Sequence, residues 1–84
     1  MPNPATANQV ISTDGMSDVE LRLALTSVIH YQEEGAVRRP IFILKDGTVL
    51  EGFVTEVSAH EFTIEEAPES TRIEDFANLK LIEF

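Results

Sequence analysis

The chain has 84 residues, 15 acidic against 6 basic side chains, a formal net charge of −9 and no cysteine. That length holds one domain at most, with a modest core that self-association would help to stabilise. Disulfides and thiolate metal sites are excluded, a histidine-rich metal centre has only His30 and His60 to draw on, and the acidity opposes broad nucleic-acid binding by phosphate neutralisation while suiting a basic partner.

Residues 1–16 are rich in Pro, Asn, Ala and Thr, lack periodicity and read as a disordered tail. Met16 is an alternative start. The segment has neither a basic n-region nor an apolar h-region, and no apolar run approaches the ~20 residues of a membrane span, so the expected compartment is the cytoplasm.

Ser17-Asp18-Val19-Glu20 has capping-box spacing, and a helix is expected over 17–34. Leu21, Ala24, Leu25 and Val28 form its apolar stripe, with Ile29 on the flank and Arg22, Thr26, His30 and Glu33 opposite. The stripe is expected to pack on a sheet, the alternative being a face offered to another protein. Gly35 suits the C′ position.

Pro40 opens a β-region over 40–84. Five strands are expected: 41–45, 48–57, 61–66, 71–75 and 79–84. The turns are Asp46-Gly47, Ser58-Ala59-His60, Ala67-Pro68-Glu69-Ser70 and Phe76-Ala77-Asn78. Asp-Gly between apolar runs is a hairpin signal, because the turn needs positive φ. A glycine inside a strand, here Gly52, marks a bend or a close backbone approach. The first strand is apolar on both faces, so both are expected to be covered. In the second, Val49, Phe53 and Val57 share one face, Leu50 and Val54 the other. In the third, Phe62 and Ile64 point inward, with Glu61, Thr63 and Glu65 outward. The result is a mainly β fold: an N-terminal helix, then a strongly bent antiparallel open barrel.

This order of elements, with IFILKDGTVLEGFVTEVSAHEFTIEEA holding Asp46, Gly47 and Gly52 as a structural frame, resembles the Sm-like (Sm, LSm, Hfq) family over residues 17–84. The resemblance implies a five-stranded open barrel. It also implies a homo-oligomeric ring, usually of six or seven subunits, closed by pairing strand 4 of one subunit with strand 5 of the next. Such rings bind single-stranded RNA through loop residues around the pore. Carried onto this chain, those positions are Ser58, His60, Arg72, Phe76 and Asn78, with His60 as a base-stacking residue. The chain departs from the family where Ser58 replaces the usual Asp, where Phe62 stands near the start of strand 3, and where Glu74 and Asp75 lie near the expected basic position.

Other residues have plainer roles. His30 reads as solvated, Asn78 as a turn residue and Arg38-Arg39 as local partners of Glu33 and Glu34. Phosphate loops, nucleophile elbows and converging carboxylates are not found, so no enzyme activity, cofactor or metal is expected. The leading expectation is a non-catalytic ring-forming RNA binder. The alternative is an acidic Sm-like protein that binds a basic partner, similar to the small acidic inhibitors of the terminator Rho. These share the order helix, then strand-KDG-strand, and occupy their partner's RNA-binding surface.

Overall fold

A computed structural model describes residues 9–35, 38–67 and 70–84. The elements in chain order are β1 (Val10–Ser12), α1 (Asp18–Glu33), β2 (Ile41–Leu44), β3 (Val49–Glu51), β4 (Phe53–Val57), β5 (Glu61–Ala67), β6 (Ser70–Asp75) and β7 (Leu79–Glu83), with a 3-10 turn at Phe76–Asn78 before β7. All strand pairs are antiparallel. One sheet has the order β1-β7-β2-β3 and the other β4-β5-β6.

The fold is thus mainly β with one helix, but the described residues form seven strands in two sheets rather than five in one barrel. Two causes account for the difference. The expected second strand breaks at Gly52, where a Cβ would lie 2.5 Å from the Glu65 carbonyl oxygen and 2.6 Å from Ile64 Cγ2. Only a residue without a side chain lets β5 cross that close, so the chain bends there and β3 and β4 fall in different sheets. The second cause is β1, in a stretch whose composition reads as tail. Its register is Val10 to Glu83, Ile11 to Ile82 and Ser12 to Leu81. Residues 1–8 of that tail, and Pro68-Glu69 of the third turn, lie outside the described residues.

Inside the capping box, Ser17 Oγ accepts from the Glu20 amide and Glu20 Oε1 from the Ser17 amide, at 3.3 and 3.1 Å. The stripe Leu21, Ala24, Leu25 and Val28 is buried. It meets Phe42, Leu50, Val54, Phe62, Ile64 and Ile82 from the inner faces of the two sheets. Phe42, Phe62 and Phe76 form a row of rings with centroids 5.6 and 6.3 Å apart.

Strand alternation holds in β5, where Phe62 and Ile64 are buried and Glu61 and Glu65 exposed. It fails in β4. The register shifts between Val54 and Glu56, so Val57 lies opposite buried Phe62 and packs on the core instead of sharing a face with Phe53. One extra residue reverses the side to which every later residue points.

The Asp46-Gly47 turn closes as its composition dictates. Gly47 has φ +91 and its amide donates to the Leu44 carbonyl, while Asp46 Oδ1 accepts from the Thr48 amide at 2.9 Å. These hydrogen bonds to Thr48, side chain first, hold the exposed Asp46 carboxyl below its ordinary pKa.

Candidate functional site

The loops named from the sequence do converge at one end of the fold, and the Ser58 and His60 side chains are engaged there. Ser58 Oγ donates to the Glu61 carbonyl and accepts from the Glu61 amide, which closes the β4–β5 turn. His60 Nδ1 lies 2.7 Å from Asp18 Oδ2 and ties that turn to the start of α1. The His60 carbonyl accepts from the Phe76 amide, and the Asn78 carbonyl from the Lys45 amide, both at 2.8 Å. The three turns therefore touch in sequence.

Phe76 is only 2% exposed and packs on Phe62. Its ring is a core group. Arg72 is turned to the inner side of the edge strand β6, opposite buried Ile64, and its guanidinium is hydrogen bonded to Glu74. That bond, followed by the Glu74 charge, raises the Arg72 pKa above its ordinary value. Glu74 faces the same way, opposite Phe62. Of the five candidates, Ser58, His60 and Asn78 are exposed around the turns, Arg72 is held in an ion pair, and Phe76 is buried.

The outer face of β4-β5-β6 has a different character. Register places Glu65 between Phe53 and Thr71, Thr63 between Glu56 and Ile73, and Glu61 beside Asp75. Four carboxylates thus share one face with Ile73, which is 63% exposed on the edge strand. No lysine or arginine occupies these register positions. A shallow cleft of about 160 Å³ lies between Glu56, Glu61, Thr63 and Ile73. Arg39 lies at the margin: its Nη1 donates to the Glu66 carbonyl at 2.6 Å, and its guanidinium lies 5.8 Å from the Phe53 ring centre. The pairing of Arg38-Arg39 with Glu33-Glu34 expected from sequence is replaced, for Arg39, by this backbone and ring contact.

Alternating Glu and Thr in 61–65 signalled such a face in the sequence. The register that brings Glu56 and Ile73 together across Thr63 did not, because it depends on the bulge in β4.

Two features condition any pairing with other chains. β7 is bonded along both edges, to β2 and to β1, with Gln9 and Phe84 exchanging backbone hydrogen bonds beyond the strand end. β6 is a terminal strand of its sheet and has the Arg72–Glu74 pair turned inward. An inward-pointing charge on an edge strand discourages strand addition.

Among the described residues no group of three or more His, Cys, Asp or Glu side chains is placed to hold a metal ion. No described helix is long and apolar enough to cross a membrane. Comparison with known proteins found no matching family model, no matching curated protein and no matching solved structure.

Proposed function

We propose that this chain is a non-catalytic, acidic Sm-like module that binds the basic, RNA-binding surface of another protein, in the manner of the small acidic inhibitors of Rho. The observation that carries this reading is the outer face of β4-β5-β6, where Glu56, Glu61, Glu65 and Asp75 surround Ile73 with no basic residue in the register positions between them. Such a face attracts a cationic surface and repels polyanions. An exposed isoleucine among carboxylates adds an apolar contact that water does not compete for. The Sm-like assignment rests on the Asp46, Gly47 and Gly52 frame and on β7-β2-β3 continuing through Gly52 into β4-β5-β6. Of the fourth and fifth strands of that frame, β6 is a terminal strand of its sheet and β7 lies between β1 and β2.

The ring reading keeps one observation in its favour, the unpaired outer edge of β6. Closing a ring through β6 and β7 requires β1 to leave β7, which costs the ladder and the buried Thr13 contact. RNA at the pore would then rely on His60 without Phe76 or Arg72.

The test is a paired titration of the chain with purified Rho and with oligo-U and oligo-A. Binding to Rho that RNA competes away, and that Glu56→Lys with Glu61→Lys weakens at least tenfold, supports the proposal. Tight binding to either oligonucleotide without binding to Rho overturns it in favour of the RNA reading, and native mass at the same concentrations reads the ring directly.

A further inference from the structure

The outer face of the other sheet, β1-β7-β2-β3, is unlike the acidic one. Register sets Ser12, Leu81, Ile43 and Val49 in one row and Val10, Glu83, Ile41 and Glu51 in the next. Five of these eight positions are aliphatic. Their inward neighbours Phe42, Leu50 and Ile82 already belong to the core, so this is a second apolar face on the same sheet. Val10 and Val49, on its two outer strands, are 57% and 62% exposed. Antiparallel sheets with one solvated face normally alternate apolar inward with polar outward. This sheet does not, which is the pattern of a face that acquires a cover.

The choice of cover follows from charge. A chain of net charge −9 can meet its own copy only where its field is locally balanced. At one end of this face a groove of about 340 Å³ is lined by Glu51 and Glu83 together with Arg38 and Arg39, two charges of each sign, beside Ile41 and Tyr31. A two-fold arrangement places the carboxylate pair of one copy against the arginine pair of the other, with the aliphatic rows between them. A cationic partner is drawn instead to the uncompensated carboxylates of β4-β5-β6.

We infer that the outer face of β1-β7-β2-β3 is a self-association surface through which two copies of the chain pack sheet on sheet. Four strands at ~4.8 Å spacing give a face roughly 20 Å wide. At three to five residues per strand and ~3.4 Å per residue the face covers roughly 200–350 Å², below the ~800 Å² per partner of a standard interface, so the dimer is a weak one.

Sedimentation equilibrium of the full chain over a wide concentration range tests this. The expected result is a reversible monomer–dimer equilibrium that Val49→Glu and, separately, Val10→Glu weaken at least tenfold, with unchanged circular dichroism. Both positions are more than half exposed, so neither change removes core packing. Ile73→Lys, on the acidic sheet, should leave the equilibrium as it is. A monomer at millimolar concentration overturns the inference. So does a dimer that tolerates Val49→Glu and Val10→Glu, or an assembly that Ile73→Lys disrupts instead.

Discussion

The carboxamide of Gln32 bonds both backbone groups of Val54: Nε2 donates to the Val54 carbonyl at 2.9 Å, and Oε1 accepts from the Val54 amide at 2.8 Å. Past Gly52 the chain leaves the β2 ladder, and one edge of β4 loses its strand partner while the other pairs with β5. Gln32, in the last turn of α1, takes the place of a strand residue there. Gln32→Ala strands a part-buried donor and acceptor, at a cost of about 2 kcal/mol for two hydrogen bonds. In thermal unfolding this is a drop of roughly 10 °C for a domain of this size. Gln32→Glu should be no better at neutral pH, since a carboxylate accepts from the Val54 amide but repels the Val54 carbonyl. Its deficit should shrink in acid, where the carboxyl regains a proton to donate.

Gly52 is fixed by space and not by backbone conformation. A Cβ there meets the backbone of Glu65 and the side chain of Ile64, and the Glu65 carbonyl cannot retreat without breaking the β5 ladder. Gly52→Ala is therefore expected to destabilise the fold by about 3 kcal/mol, in the range of overpacked cores. Gly47→Ala has open space around it but must hold φ +91, and should cost about 1 kcal/mol. Chemical denaturation of the two variants should rank Gly52→Ala as clearly the less stable. The reverse order would mean that the bend can open.

The contrast shows what was legible beforehand. Asp46-Gly47 and the Ser17–Glu20 box act over three or four residues through their own side chains, so composition alone exposes them. Gly52 announces a bend because a glycine amid alternating aliphatics has few other uses. Gln32 was invisible: its partner is 22 residues away, and its value comes from an edge that exists only once β4 has turned. Val57 was misplaced for a similar reason, since a bulge is a tertiary event that leaves no mark in the alternation. β1 was missed because three residues in a polar stretch gain their order from the β7 edge and not from any propensity of their own. Of the expected site, the turns holding Ser58, His60 and Asn78 came together. The burial of Phe76 follows from the ring row with Phe62, which no spacing rule reveals.

The capping box predicts a pH dependence. Hydrogen bonds from Ser17, backbone first and then side chain, hold the exposed Glu20 carboxyl below its ordinary pKa. A carboxyl whose folded pKa is depressed contributes stability that is present above its unfolded value and lost as pH falls through the folded one. Helix stability should therefore decline on acidification through the lower carboxylate range. Glu20→Gln keeps an acceptor for the Ser17 amide but removes the titrating carboxyl, and should flatten that decline. Melting temperatures of the wild type and Glu20→Gln should converge toward acid. Parallel curves would assign the acid sensitivity to other carboxylates.

The last prediction concerns β1. Thr13 is 4% exposed, and its hydroxyl donates to the Leu79 carbonyl at 2.9 Å while its amide donates to the Lys80 carbonyl. With the Val10–Ser12 ladder and the half-buried Ile11, this makes β1 a cover over the β7 edge. Thr13→Val keeps the shape and leaves the Leu79 carbonyl without its hydroxyl partner, at a cost of about 1–2 kcal/mol. A chain beginning at Met16 loses the whole cover. It should be less stable, and it bares a β7 edge that can pair with the free edge of β6 on another copy. Light scattering of this shortened chain should show assemblies larger than those of the full chain, and Thr71→Pro on β6 should suppress them. If the shortened chain stays the size of the full one, the β7 edge is inert even when exposed, and β1 serves stability alone.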